Sequence, residues 1–284
     1  MRFACLIVTH TSPELTARTI KKLDNGKFDF YIHLDKKVEL STHAELIAMP
    51  NVTFVQDRLD AKWAGYSVVD ASFKCIREIV ASGKEYGFII MLSGQDYPVK
   101  SADDISSFLE KKAGKQLLKH WVFETEWAEG YTRIYRYHFT DKTFKGRYLV
   151  QRLVNLIVKR RPPIDLRFYG TSSAYWTISP DCAKYVMDFV KSRPRFERFL
   201  KYTWGGDEFI FHTIIMNSPY ALQVENNDYR YIDWSAGGSH PKLLTTEDYE
   251  KIVATDDLFA RKFKMEVDTN ILDLLDKRPA DQQA

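Results

Sequence analysis

The hydrophobic pattern opens on a continuous apolar run, RFACLIVTH (2–10), which predicts a strand buried on both faces. The next segment, TSPELTARTIKKL (11–23), predicts a helix. Thr11 or Ser12 stands at the cap position, Pro13 suits the first turn, and Leu15, Ile20 and Leu23 form an apolar side. FDFYIHLD (28–35) is a second strand that ends on an acid, and NVTFVQ (51–56) a third. SVVDASFKCIREIVASG (67–83) has helical spacing and stops at Gly83. YGFIIMLSGQDYPV (86–99) is a strand running into a polar turn. Strand, helix, strand, strand, helix, strand predicts an open α/β fold whose central sheet is mostly parallel, Rossmann-like and flanked by helices. Ligands of such sheets gather beyond the carboxyl ends of the strands, here His10, Asp35 and the SGQD turn.

The second half is less regular. GTSSAYWTIS (170–179) reads as a strand and SPDCAKYVMDFVKS (179–192) as a capped helix. The stretch from 269 to 284 reads as a polar C-terminal tail. No repeat or linker divides the chain, so 1–284 is expected to be one domain. Residues up to about 100 are expected to form its nucleotide-binding half, and 101–268 a second half.

At 45% hydrophobic, the 284 residues hold enough apolar material for a full core. Lys plus Arg is 41 against 38 for Asp plus Glu, a net charge of +3, which gives no argument for nucleic-acid binding. Cys5, Cys75 and Cys182 lie too far apart for a metal motif and fit a reducing compartment. No leader-like segment is visible, and no run approaches the roughly 18 apolar residues of a membrane span. The expected location is the cytoplasm.

One segment changes that picture. KTFKGRYLVQRLVNLIVKRR (142–161) carries Lys and Arg around a helix-spaced apolar set, Leu149, Leu153, Leu156 and Ile157, and contains no acid. The default reading packs the apolar set on the core and leaves a solvated basic face. The alternative is attachment to an anionic membrane, at its inner face, or to a phosphate-bearing acceptor.

No P-loop, G-x-G-x-x-G, H-E-x-x-H or G-x-S-x-G motif occurs. Asp-x-Asp, a pair suited to the metal that neutralises a departing diphosphate, is absent too. Lys or Arg is then the physical alternative. In YTWGGDEFIFHTIIMN (202–217), Asp207 and Glu208 head a segment that otherwise reads as buried. They either favour a helix N-terminus through its dipole or supply a general base.

VTH (8–10), IHLDKK (32–37), KWAGYSVVDA (62–71), LSGQDYPVKS (92–101), GTSSAYWTIS, GGDEFIFHTI (205–214), RYIDW (230–234), GSHPK (238–242) and LFARKF (258–263) follow one another in this order. Together they resemble the core-2/I-branching family of glycosyltransferases, which includes the peptide xylosyltransferases, over about residues 3 to 268. The resemblance implies a GT-A-like fold and inverting transfer of GlcNAc or xylose from a UDP-sugar, without a divalent metal or other cofactor. It makes Glu208 the base and puts Lys242 and Lys262 on the diphosphate, with Arg261 able to substitute for one of them. Val8, Thr9 and His10 become the turn where the nucleotide packs, Asp35 the acid on the uridine, and Trp63 an aromatic on the nucleotide side. Glu124 is similar in position to an acid that contacts the acceptor sugar. Trp234 offers a plane for a sugar face, and Ser173 and Tyr175 the cleft floor. The implied acceptor is a glycan or lipid-linked glycan in surface polysaccharide or glycoconjugate synthesis. The rival reading is a non-catalytic carbohydrate- or nucleotide-binding relative. A hydrolase using Glu124 with Glu208 fits a nucleotide-type sheet poorly.

Overall fold

The structure, a computed structural model, describes residues 1–278 apart from Ser12 and Ser239. Its strands are β1 (Phe3–Thr9), β2 (Phe28–Leu34), β3 (Val52–Phe54), β4 (Phe88–Ser93), β5 (Asp96–Pro98), β6 (Gln116–Leu117), β7 (Trp121–Val122), β8 (Tyr169–Gly170), β9 (Thr177–Ile178), β10 (Val224–Glu225), β11 (Arg230–Ile232) and β12 (Phe259–Arg261). Its α-helices are α1 (Pro13–Leu23), α2 (Ala44–Ile47), α3 (Tyr66–Ala81), α4 (Ala102–Lys111), α5 (Gly130–Tyr135), α6 (Arg147–Ile157), α7 (Pro180–Lys191), α8 (Pro194–Leu200), α9 (Ile210–Met216), α10 (Tyr249–Val253) and α11 (Asn270–Asp276).

The main sheet runs β10-β6-β9-β4-β1-β2-β3. It is parallel at every pairing except the two made by β9. This is the mostly parallel α/β sheet that the apolar pattern predicts. β1 and β2 lie inside it, and their side chains alternate between two cores. Ala4 and Leu6 join Val69, Phe73, Ile76, Trp176 and Phe211 on one face, which α3, α7 and α9 cover. Phe3, Cys5 and Ile7 join Ile20, Phe30, Ile105 and Leu109 on the other, under α1 and α4. A smaller sheet, β11-β12-β5, sits beyond the end of β4 with its own core of Tyr97, Val99, Ala260, Phe263 and Leu272.

Helix ends follow the expected chemistry in part. Ser179 caps α7 by accepting from Cys182 N at 3.3 Å, and Pro180 fills the first turn. α3 ends just before Gly83, which has φ +66°. α1 starts at Pro13, but Thr11 turns its hydroxyl to Thr9 Oγ1 and the Gly94 carbonyl. The other cap candidate, Ser12, lies outside the described residues.

Three expectations need correction. The tail from 269 begins as α11, which buries Ile271, Leu272 and Leu275 against the small sheet, because those apolar residues share one helical face. Residues 279–284 lie outside the described ones. The predicted strand 170–179 forms only at its two ends, β8 and β9, and the intervening loop lines a cavity. Helix α6 exists, but it buries none of its residues. The default reading of its apolar set against the core is wrong.

Candidate active site

The carboxyl ends of β1, β2 and β4 open into a cavity of about 470 Å³. Val8, Thr9 and His10 reach it from β1, Asp35 from β2, and the Ser93–Gln95 turn from β4. Gly94 is required there, since a Cβ on it would stand 2.1 Å from Thr9 Oγ1. The far side is built by Trp63, Ser173, Tyr175, Asp207, Glu208, Trp234, Arg261 and Lys262. Ten of the twelve residues expected at the site therefore share one space: Val8, Thr9, His10, Asp35, Trp63, Ser173, Tyr175, Glu208, Trp234 and Lys262.

Glu208 closes a 3₁₀ turn, Gly206–Glu208, ahead of α9. Asp207 and Glu208 stand in the first turn of this 3₁₀ segment, and neither it nor α9 has a side-chain cap bond, the cap positions being Gly205 and Phe209. The Glu208 carboxylate pairs with Arg133. That guanidinium is held between the rings of Trp127 and Trp204, 4.5 Å from each centroid. Burial, and then the neighbouring Asp207, push the Glu208 carboxyl up to about 7, outweighing the opposing pull of Arg133. Burial also raises Asp207, whose Oδ1 has no hydrogen-bond partner among the described residues. Glu208 is not sealed off, because its side chain keeps 23% of its exposure. The result is a carboxylate that can take up and release a proton near neutral pH.

Backbone bonds fix this arrangement. Thr171 N donates to the Glu208 carbonyl at 3.0 Å, and Gly205 N to the Ala64 carbonyl at 2.8 Å. Gly205 takes φ +62°, and a Cβ there would lie 2.5 Å from Arg133 Nη1. The second bond ties the acidic turn to the Trp63 loop, where Trp63 meets Trp204 edge-on at 5.4 Å.

The cations lie in and beside β12. Arg261 lines the cavity over the Tyr175 ring, 4.8 Å from its centroid, and its buried Nε has no partner among the described residues. The adjacent acid, Asp96, is already engaged by Arg230 at 2.7 Å and by Ser93. Lys262 follows, and burial with its neighbours Arg261 and Lys264 lowers its pKa. A buried cation without an anion is costly. Arg261 and Lys262 together place two positive charges on the cavity wall.

Two expected residues stand elsewhere. Lys242 turns away to pair with the buried Asp248 at 2.5 Å, while its neighbours His240 and Pro241 line the cavity. Glu124 follows β7 and pairs with Arg167 at 3.3 Å at the edge of a separate hollow. Asp35 does line the cavity, yet its carboxylate accepts from Lys37 N at 2.8 Å and Ala61 N at 3.0 Å, so it also braces its own loop. Sequence reasoning missed Arg133 altogether. Nothing in GYTRIY sets that arginine apart from a surface residue until Trp127, Trp204 and Glu208 converge on it. Among the described residues, no group of three or more His, Cys, Asp or Glu side chains is placed to hold a metal ion. No helix among them is long and apolar enough to cross a membrane.

Residues 3–256 match the family model described as Core-2/I-Branching enzyme. The chain belongs to that family. It is 24% identical to mouse xylosyltransferase 2 over 97% of this chain and 33% of that protein. It is 25% identical to human beta-1,3-galactosyl-O-glycosyl-glycoprotein beta-1,6-N-acetylglucosaminyltransferase over 95% of this chain and 68% of that one. The chain thus spans about a third of the xylosyltransferase and about two thirds of the acetylglucosaminyltransferase. Among solved structures, mouse xyloside xylosyltransferase 1 matches over 91% of this chain and 97% of that one, at 13% identity and TM-score 0.37. The 1–349 segment of S. aureus TarS matches over 65% and 48%, at 13% identity and TM-score 0.37. In this family setting the α/β domain with its mostly parallel sheet is the GT-A-like fold expected from the sequence.

Proposed function

We propose that the cavity transfers a sugar, GlcNAc or xylose, from a UDP-sugar to an acceptor hydroxyl with inversion and without a divalent metal. One observation carries this reading. A carboxyl poised near neutral pH shares a cavity with two cations, Arg261 and Lys262, the first with a buried Nε that has no partner among the described residues. In the reaction, the Glu208 carboxylate takes the proton from the acceptor O–H as that oxygen attacks the anomeric carbon. The bond from that carbon to the diphosphate oxygen breaks, and its electron pair leaves with UDP. Arg261 and Lys262 offset the charge that develops there, with Arg261 in the role expected of Lys242. Val8, Thr9, His10, Asp35 and Trp63 hold the nucleotide. Ser173, Tyr175 and Trp234 face the sugars. Arg133 positions Glu208 and limits how far its pKa climbs.

The acceptor is a glycan or lipid-linked glycan, met in the cytoplasm at the inner face of a membrane. The similarity to a xylosyltransferase and to an acetylglucosaminyltransferase supports the choice of donors. A screen for UDP release with UDP-GlcNAc, UDP-xylose, UDP-glucose and UDP-galactose, in excess EDTA, tests the reading. Release from one of the first two supports it. Release only on addition of Mn²⁺ or Mg²⁺, or from none of the four, counts against it.

A further inference from the structure

Helix α6 is built inside out. Its polar residues face the protein: Gln151 Oε1 accepts from Phe139 N at 2.8 Å, and Asn155 bridges both backbone groups of Tyr137 at 2.7 and 2.9 Å. Its apolar residues face away, with Leu149 63%, Leu153 49%, Leu156 75% and Ile157 82% exposed. Tyr148 and Phe144 are exposed beside them. A surface helix normally shows the opposite arrangement, and an apolar face this continuous marks a contact.

The surrounding charge identifies the partner. Lys142, Lys145, Arg152, Lys159 and Arg161 are exposed around the apolar face, and 142–161 holds no Asp or Glu. Arg160 turns inward, donating to the carbonyls of Ile134, Arg136 and Phe199, and Arg147 is half-buried and donates to the carbonyls of Thr140 and Lys142. A second copy related by a twofold axis would set this basic face against itself. We propose that α6 lies in the headgroup region of an anionic lipid surface, with Leu149, Leu153, Leu156 and Ile157 in the acyl boundary and the cations on the headgroups.

The position of α6 ties this surface to the cavity. A hollow of about 500 Å³, lined by Lys62, Trp63, His138, Arg147, Tyr148 and Trp204, runs from the first turn of α6 to Trp63. Trp63 lines the main cavity as well. Docking through α6 therefore brings the Trp63 edge to a membrane-borne acceptor, a consequence that rests on the proposed transfer reaction. The docking itself does not.

Co-sedimentation with phosphatidylcholine vesicles, with and without phosphatidylglycerol, tests the docking. Wild-type protein is expected to bind only the anionic vesicles and to bind less as salt rises. The double variant L156D/I157D changes two exposed positions, so the fold should hold, and UDP binding on the same samples checks that it does. The variant is expected to lose at least about tenfold in vesicle affinity. No binding by wild-type protein at physiological salt overturns the proposal, as does a variant that binds equally well. A concentration-dependent dimer that the variant abolishes, with no vesicle binding, also overturns it and assigns the face to self-association. If wild-type protein binds vesicles but not UDP, the transfer reading fails and the docking stands.

Discussion

Burial and Asp207 raise the Glu208 carboxyl, and Arg133 opposes them. A base acts only when deprotonated, so kcat/KM should rise with pH and level off above about 7, where burial and Asp207 place the Glu208 carboxyl. Arg133→Met removes a charge that favours the carboxylate, and the rising limb should move to higher pH. A limb that stays in place in this variant would show that Arg133 does not tune Glu208. The same shift has a stability sign. The folded-state pKa lies above the ordinary value of 4.5, so the stabilising contribution of the proton is full below about 4.5 and lost as pH passes about 7. Glu208→Gln should therefore melt higher than wild-type protein in mild alkali, and the gap should close toward pH 4. The question was legible in the sequence, because Asp207-Glu208 at the head of a buried run already posed the choice of helix N-terminus or base. Arg133 was not legible, since its role depends on two tryptophans brought together from distant segments.

Among the elements, the turn before α9 carries the tightest backbone demand. Gly205→Ala would force a side chain into φ +62° and against Arg133 Nη1. The left-handed conformation alone costs about 1–2 kcal/mol, and displacing Arg133 adds loss of turnover. Circular dichroism melting and UDP-release rates should show both effects, and a variant with unchanged turnover would detach Arg133 from the chemistry. At this scale the parallel strands were easy to read, because β1 and β2 are mostly apolar runs buried on both faces. The 171–176 loop was not, since the apolar character of its Tyr175 and Trp176 serves a cavity wall and a core rather than a ladder. Helix α6 was legible as a helix. Its orientation was not, because Gln151 and Asn155 find backbone partners that no periodicity reveals.

Across the whole molecule, the cavity lies between the parallel sheet and the segment carrying Glu208, and the small sheet delivers the cations to it. UDP bound there should stabilise the native state, by about 2.7 kcal/mol at a hundredfold excess over Kd, and should do so in excess EDTA. Arg261→Gln should weaken UDP by about ten- to a hundredfold, the scale of one charge-assisted hydrogen bond. Lys242→Ala should leave it within a few-fold, because Lys242 is engaged by Asp248. The reverse ranking in a thermal-shift titration would return the diphosphate to the residue that the sequence pointed to. The sequence placed cations near the C-terminal strand correctly but could not see that the lysine after His240-Pro241 turns away.

The most direct measurement is UDP release by Glu208→Gln, made with a donor and acceptor that wild-type protein turns over. Gln is nearly isosteric and keeps a hydrogen bond, but it takes up no proton at neutral pH. If Glu208 is the base, turnover falls by about 10²–10⁴-fold while donor affinity stays within a few-fold. A variant that keeps more than about a tenth of wild-type turnover contradicts that assignment, and leaves the acidic pair with a structural role.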